Sequence, residues 1–257
     1  MEYTRSHSPS RLSRRETTSE DPLERSTGID VSAEHPAVAG PHEYEKLPFP
    51  PGASPFHLKG IVYRAHIEYA NEFVPGGTKA VNAAFRNRQL AAFFEQPFLA
   101  ASWYDALPIV PVWHVCARLS GLLPNDFLKA RTKHQAKQDI SGVYKLILNL
   151  TSVEQVALRM PRVVGKYFDF GTTDAKVVRP GVVHYEQTGM PALMAQWLSI
   201  VGDTYLHVAL ETAGAKQVRV RRIPIEECGE MHGVPLVKLS TDVEFDVAAP
   251  PSEPRPR

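Results

Sequence analysis

Apolar residues occupy only one part of this chain of 257 residues. Residues 1–55 are rich in Ser, Pro, Glu and Arg, and they carry almost no aliphatic pattern. Such a segment buries too little apolar surface to offset the entropy lost on ordering. Residues 56–247 have an ordinary globular pattern, and the end, AAPPSEPRPR, is polar and proline-rich. We therefore predict a disordered arm over 1–55, a single domain over 56–247 and a disordered tail over 248–257.

The order of the periodic segments indicates an α+β fold. Residues 57–73 alternate between apolar and polar, which predicts a half-buried strand. Helical patterns follow over 78–97, 102–121, 125–150, 151–171 and 190–214, and hairpin patterns surround Arg179-Pro180-Gly181 and residues 229–233. Because helices and antiparallel strands are segregated, we expect a helical subdomain of about five helices packed against an antiparallel sheet of hairpins.

Charge and cysteine content narrow the function classes. A formal net charge of +1 gives no electrostatic reason to expect a nucleic-acid or membrane partner. Cys116 and Cys228 are too few for a disulfide scaffold or a zinc cluster, so a reducing compartment is expected. The N-terminus carries no signal-peptide pattern, and no apolar run is long enough to span a bilayer. We expect a soluble, cytoplasmic protein with no metal site.

The stretch LRMPRVVGKYFDFG, residues 158–171, combines a helix breaker with aromatic residues. Pro161 should kink the helix, and Gly165, on the same face, allows close approach of another element. Tyr167 and Phe168 follow as aromatic walls. One interpretation is a wall of an apolar ligand pocket that Trp113 and Trp197 complete. The other is a bent helix that packs into the core.

A second aromatic cluster offers a different function. The stretch LAAFFEQPFLAASWY contains Phe93, Phe94, Phe98 and Trp103 at helical spacings. If these side chains are exposed, they would form a contact face for a protein partner or for a second copy in a homo-oligomer, since large exposed apolar patches mark contacts. If they are buried, that function fails.

No catalytic constellation emerges from the histidines. His114 and Cys116 lie two apart and do not share a helix face, and His134 stands among lysines and arginines that predict a solvated face. Asp203 and His207 are spaced i,i+4, which fits a pair on a helix surface. An enzyme would require at least two histidines to meet a carboxylate in a cleft; the candidates are His66, His114, His184 and His207. We expect a non-enzymatic protein.

Two arginines of the terminal hairpin share a strand face. Arg219 and Arg221 lie two residues apart and would suit an anion, because guanidinium groups bind anions in a bidentate way. Glu226 and Glu227 follow closely, which favours cross-strand ion pairs instead.

Three stretches together resemble a known family. They are KGIVYRAHIEYA, YDALPIVPVWHVCARLSG, and the run from GVYKLILNL to KYFDFG followed by HYEQTGMPALMAQWLSIVGDTYLHVALETAGAKQVRVRR. Over about residues 56–223 this order resembles an uncharacterised, Myxococcales-restricted family, which has no established activity to carry over. That family is in turn distantly similar to the haem-NO-binding and vinyl-reductase-type ligand-binding folds.

The second resemblance implies a helical subdomain against an antiparallel sheet, and a small-molecule ligand. It does not supply a cofactor, because haem-NO-binding proteins hold the haem propionates with a Tyr-x-Ser-x-Arg motif that YKLIL and YFDFG do not match. Cys228 also stands alone, unlike the cysteines of the vinyl-reductase relatives. We predict a non-enzymatic regulatory or sensory module that binds a small apolar molecule between helices and sheet, with a protein-interaction module as the alternative.

Overall fold

The structure is a computed structural model that describes residues 43–140 and 152–246. The described helices are α1 (Gly60–Phe73), α2 (Gly77–Ala84), α3 (Arg88–Glu95), α4 (Ile109–Leu119), α5 (Pro124–Asp139), α6 (Val153–Val164) and α7 (Ala195–Thr212). The strands are β1 (His57–Lys59), β2 (Trp103–Asp105), β3 (Thr172–Arg179), β4 (Val182–Pro191), β5 (Lys216–Arg222), β6 (Glu226–Met231) and β7 (Val234–Asp246). The predicted α+β class is confirmed.

The chain forms two parts, which we call the helical half (residues 43–140) and the sheet half (residues 152–246). The helical half contains α1 to α5 and the short β1–β2 pair. The sheet half contains α6, α7 and a five-stranded antiparallel sheet. Residues 1–42 of the arm predicted over 1–55, residues 141–150 of the third predicted helix, Thr151, and residues 247–257, which include the predicted tail, lie outside the described residues.

Residues 43–55, assigned by composition to the disordered arm, pack against the helical half instead. Glu45 is buried, and its Oε2 accepts hydrogen bonds from the backbone N–H groups of Arg86 and Asn87, both at 2.9 Å. The ring of Tyr44 stacks on His114 with centroids 4.6 Å apart. A few anchoring contacts therefore order a segment whose average composition is polar.

Asp105 is a buried connection point in the helical half. Its carboxylate accepts hydrogen bonds from the N–H of Gly52 at 2.8 Å, from the N–H and hydroxyl of Ser54 at 3.3 and 2.5 Å, and from the N–H of Leu107 at 2.9 Å. Its carbonyl oxygen accepts the hydroxyl of Tyr63 at 2.6 Å. One residue thus joins the N-terminal segment, β2, α1 and the start of α4.

The prediction of a strand over 57–73 is correct for His57–Lys59 and wrong for the residues that follow. Only β1 pairs, antiparallel to β2, and the chain then turns into α1. Tyr63, His66 and Ala70 are buried on one face of α1. Their spacing of three and four residues fits a helix, although the same stretch also alternates.

The helix predicted over 78–97 is two helices. The chain leaves helical geometry at Phe85, and Asn87 caps α3 by accepting a hydrogen bond from the N–H of Gln89 at 2.9 Å. An asparagine with extended backbone is a favoured N-cap, so the break has a local cause. The helix predicted over 102–121 likewise begins later, because β2 occupies its first residues.

Five antiparallel strands form the main sheet in the order β3-β4-β7-β5, with β6 also paired to β7. The hairpin predicted around Pro180 is confirmed as β3–β4. The hairpin predicted around residues 229–233 is confirmed as β6–β7, and β5 and β6 pair with opposite ends of the long strand β7. His232 and Gly233 both have positive φ in the β6–β7 turn, as in a type I′ hairpin turn.

A hydroxyl group from the sheet donates the hydrogen bond that a proline in α6 cannot donate. Ser152 caps α6, and Pro161 lies inside the helix as predicted. Because Pro161 has no N–H, it cannot donate the helical hydrogen bond to the carbonyl of Ala157, four residues earlier. The hydroxyl of Tyr185, on β4, donates to this carbonyl at 2.8 Å, and both residues are buried. The sheet therefore supplies the bond that the helix lacks.

A buried ion pair joins α7 to the sheet. The Nε of Arg222, on β5, lies 2.6 Å from Oδ2 of Asp203, and Asp203 is buried. Burial raises the pKa of Asp203, and the charge and hydrogen bond of Arg222 oppose that rise. The predicted pairing of Asp203 with His207 is wrong, since His207 Nε2 lies 3.2 Å from Glu211 instead.

The link between Pro161 and Tyr185 predicts a coupled mutational effect. Tyr185→Phe leaves the buried Ala157 carbonyl without its partner and should lower the free energy of unfolding by about 1–3 kcal/mol. In a Pro161→Ala background the new amide can donate to this carbonyl, so the same Tyr185→Phe change should cost less. Denaturant titrations of the four proteins measure this coupling, and strictly additive effects would show that the two residues are independent.

Candidate functional site

A small, partly open cavity lies in the helical half, between α1, α2, α3 and α4. The centre of a water-sized sphere can move through about 20 Å³ of this cavity, so the cavity has room for about one water molecule. Its walls are His66, Ile67, Ala70, Thr78, Val81, Asn82, Phe94 and Val112. The lining is mostly apolar, and the imidazole of His66 is its one titratable group.

His66 is the unusual member of this lining. It is 2% exposed, and neither ring nitrogen has a hydrogen-bond partner in the described part of the chain. Burial, and next the charge of Arg131, hold the pKa of His66 well below its usual value. The ring is therefore neutral at pH 7, with one N–H and one lone pair unmatched, a costly state for a buried polar group.

Arg131 is a second buried polar residue of the helical half. It lies on the buried face of α5, and its Nη2 donates to the carbonyl of Val62 at 3.3 Å while Nε has no partner among the described residues. Burial lowers its pKa to about 10, with Asp139 acting in the opposite direction. The guanidinium is still charged at neutral pH.

Two neighbours of Arg131 are neutral. The hydroxyl of Thr132 is fully buried and without a partner in the described ranges. Burial raises the pKa of the Cys116 thiol to about 12, while Arg131 opposes the rise. The thiol is therefore protonated at neutral pH and does not neutralise the guanidinium.

The residues predicted to line a ligand pocket do not surround one common space. Phe168 and Trp197 meet edge to face with centroids 6.3 Å apart, but Gly165 is exposed. Pro161 and Tyr167 are half-buried. Trp113 is buried on α4, where its Nε1 donates to the carbonyl of Pro124 at 2.5 Å. The core-packing alternative therefore describes Trp113, Phe168 and Trp197 better than the pocket does.

Large apolar side chains fill the region between the helical half and the sheet half. They come from both parts and belong to one continuous core: Phe56, Leu58, Phe170, Met190, Met194 and Trp197, each at most 7% exposed. Phe56 and Phe170 make an edge-to-face contact across this boundary at 5.6 Å. Leu58 also bridges to Phe168.

The predicted aromatic contact face is mostly interior. Phe93, Phe94 and Phe98 are buried and surround the buried ring of Tyr63 at 4.6–5.7 Å. The prediction of an exposed helical face is wrong for these three residues, because the break before α3 turns them toward α1. Trp103 is 43% exposed, as the prediction required, with Lys59 Nζ 3.7 Å from the centroid of its ring.

The histidines and arginines singled out in the sequence lie in separate places. His184 Nδ1 is 2.7 Å from Asp242 on the outer sheet face, where Arg221 also pairs with Asp242. Arg221 thus pairs across strands with Asp242 and not with Glu226, which pairs with Lys238. Arg219 bonds to Gln217. His134 bonds to Gln138 and lies against the rings of Tyr69 and Phe73. His66, His114, His184 and His207 do not meet at one carboxylate.

Sequence reasoning did not single out Arg131. It appears within a run of basic residues, which favours a solvated helix. The spacing of the residues in α5 could have revealed the burial of Arg131, because the buried residues of this helix fall at 127, 128, 131, 132 and 136. Arg131 falls at one of these buried positions, whereas a charged residue of a solvated helix would be expected on the exposed face.

The fold resembles solved structures of one group. A Cs H-NOX mutant carrying 4-cyano-L-phenylalanine superposes with a TM-score of 0.54 at 11% identity, covering 73% of this chain and 96% of that one. An H-NOX domain studied for haem distortion gives 0.54 at 11%, covering 77% and 100%. An oxygen-binding H-NOX domain related to soluble guanylate cyclases gives 0.52 at 12%, covering 78% and 100%.

The fold is H-NOX-like. At these identities the likeness shows the fold alone. No protein-family model and no curated protein matches the sequence. None of the described helices is long and apolar enough to cross a membrane.

The described residues do not fit a haem. A ligand of that size needs a slot of several hundred cubic ångströms, and aromatic and methionine side chains fill the boundary between the halves. A haem iron also needs an axial side chain such as histidine. His66 faces a space for about one water, and His114 stacks between Tyr44 and Trp113.

His114 should make stability depend on pH. Burial lowers its pKa to about 4, so the unfolded chain binds a proton near pH 6.5, before the folded chain does. The free energy of unfolding should therefore fall as pH decreases from about 6.5 to about 4. In His114→Phe, which keeps an aromatic ring without a titrating group, this fall should be shallower.

Urea titrations at pH 8, 7, 6 and 5 provide the test for His114. Above pH 7 the difference between wild type and His114→Phe should be constant, because the ring is neutral in both states. Parallel curves over the whole range would contradict the assigned role of burial.

Proposed function

We propose that this protein is a non-enzymatic sensory or regulatory module that uses the H-NOX-like fold without haem. The filled boundary between the halves is the observation that supports the proposal. The fold is H-NOX-like, but apolar side chains fill this boundary and leave no space there for a macrocycle. The separate positions of the four candidate histidines support a non-enzymatic role. The ligand of such a module is small, because the cavity beside His66 has room for about one water-sized species.

The proposal modifies the ligand site expected from sequence. An apolar molecule between helices and sheet would have to displace Trp197 or Met190, both almost fully buried. The cavity inside the helical half offers space without that displacement. Membership of the Myxococcales-restricted family and a cytoplasmic location remain predictions.

Haem titration tests the proposal directly. The full chain, produced with ample haem precursor and then mixed with haemin, should give no Soret band that saturates at one equivalent. Native mass spectrometry should show the 28.6 kDa polypeptide or its multiples without the mass of haem. His66→Phe and His114→Phe serve as matched controls. A saturating Soret band in wild type that either substitution removes would overturn the proposal.

A smaller exposed patch favours a second candidate function, contact with another protein. Trp103, Leu99 and Ile61 are exposed apolar residues at the β1–β2 end of the helical half. The backbone brings them together, since the N–H of Ile61 donates to the carbonyl of Ala100 at 3.1 Å. Exposed apolar patches mark contact surfaces, and a second copy of the chain is the simplest partner.

Sedimentation velocity tests this second candidate. Wild type should show a mass that rises with concentration, and the double variant Leu99→Ser, Trp103→Ser should sediment as a monomer at every concentration. Leu123→Ser, which removes an exposed apolar side chain elsewhere, is the matched control and should behave as wild type. A wild type that remains monomeric would remove self-association as a function of this patch.

A further inference from the structure

The turn between α4 and α5 exposes two neighbouring leucines, which we call the leucine turn. Leu122 is 48% exposed and Leu123 is 70% exposed. Backbone hydrogen bonds fix the turn, since the N–H of Leu122 donates to the carbonyl of Ala117 and the N–H of Phe127 donates to the carbonyl of Leu123, both at 3.0 Å. An exposed apolar pair is ordinary by itself, so its surroundings decide what it can bind.

Arginines from two helices and a connecting turn surround the leucine turn. Arg118, at the end of α4, donates from Nη2 to the carbonyl of Ala84 at 3.2 Å, which brings the end of α2 beside it. Arg86 and Arg88 follow Ala84 closely in the chain. The three arginines are exposed, and none forms an ion pair with a carboxylate of the described ranges. Asp126, in the first turn of α5, is a single opposing charge, so this surface is positive on balance.

The described part of the chain begins beside this surface. The ring of Tyr44 stacks on His114, which lies one helical turn before Arg118 on the same face of α4. The carboxylate of Glu45 accepts the N–H of Arg86 at 2.9 Å. The preceding residues therefore join the helical half next to the arginines.

We propose that residues 29–34 of this chain, IDVSAE, dock on the leucine turn of the same molecule. This segment combines two aliphatic side chains and two carboxylates, and it contains no Lys or Arg: Ile29, Val31, Asp30 and Glu34. The carboxylates complement the arginines, because ionised pairs form strong hydrogen bonds. The aliphatic side chains can cover the leucines and remove apolar surface from water.

The length of the connection allows this contact within one molecule. Val31 precedes Glu43 by about a dozen positions, and a linker of that length spans about 20 Å as a flexible chain and about 40 Å when extended. Only about one helical turn, roughly 5 Å, separates His114 from Arg118 along α4. A second copy of the chain is therefore not needed to supply the segment.

The other acidic stretch of the arm suits this surface less well. Residues 19–21, SED, contain no aliphatic side chain, and Arg14, Arg15 and Arg25 lie on either side of them. These arginines would meet the arginines of the helical half, and like charges repel. The same stretch therefore provides a matched control within the arm.

Docking of residues 29–34 would give the arm a role in controlling contacts. While the segment occupies the leucine turn, that surface is closed to other proteins, and a partner that binds there has to displace it. The inference does not rest on the proposed function, because it uses neither the cavity nor the boundary between the halves.

A nitroxide label on the arm tests the contact in the full chain. The label is attached to Ser32→Cys in a Cys228→Ser background, because Cys228 is exposed whereas Cys116 is buried. The oxidised label should strongly broaden the NMR methyl signals of Leu122 and Leu123 relative to the reduced label. Val178, which is 59% exposed on β3 of the sheet half, is the internal reference and should keep its signal. Unchanged leucine signals, or an equal loss at Val178, would overturn the proposal.

Two matched charge variants locate the contact in the arm. Asp30→Lys with Glu34→Lys should abolish the broadening at the leucine turn. Glu20→Lys with Asp21→Lys makes the same change in net charge elsewhere in the arm and should retain it. Equal losses in the two variants would show that only the overall charge of the arm matters, and would contradict the assigned segment.

A mixed sample separates docking within one molecule from docking between two. Isotope-labelled chain without the nitroxide is mixed with unlabelled chain that carries it, and the leucine signals should stay sharp. Broadening in this mixture would show that a second copy supplies the segment, which contradicts the proposal. The haem titration is unaffected by any of these outcomes.

Discussion

The hydrogen bonds that converge on Asp105 hold the helical half together. A buried carboxylate is stable only when its oxygens are matched, and here three N–H groups and a hydroxyl match them. These donors come from segments about fifty residues apart in the chain. The same residue receives the hydroxyl of Tyr63 on its carbonyl, which fixes α1 relative to α4. The position of His66, one turn further along α1, follows from that connection.

Buried polar groups are matched unevenly in the part of the chain that the structure describes. In the sheet half, Asp203 pairs with Arg222, and the carbonyl freed by Pro161 receives Tyr185. Among the described residues, the ring nitrogens of His66 and Nε of Arg131 in the helical half have no hydrogen-bond partner, and neither do Trp197 Nε1 and His207 Nδ1 in the sheet half. Buried polar groups in proteins are ordinarily satisfied, and of these four residues only His66 also lines a cavity.

Local patterns predict part of this fold. The β3–β4 hairpin follows from Pro180-Gly181, and Pro161 lies inside its helix as expected, because turn residues and prolines act through the backbone. The stretch over 57–73 alternates and also repeats at helical spacing, so sequence alone does not choose between strand and helix. Phe93 and Phe94 are buried because α3 is turned toward α1. This packing between helices is not encoded in the local sequence pattern. Arg131 escapes detection since its neighbours in sequence are basic, while its neighbours in space are not.

The proline in α6 has a consequence for the order of assembly. An isolated helix spanning Pro161 would leave the carbonyl of Ala157 to water, so it gains little stability before it reaches the sheet. Tyr185 lies in the following hairpin and can complete the helix only after β4 has formed. The last turn of α6 therefore receives this hydrogen bond only when β4 is in place. Proline usually ends a helix, but here Pro161 makes the stability of α6 depend on a hydrogen bond from the neighbouring strand β4.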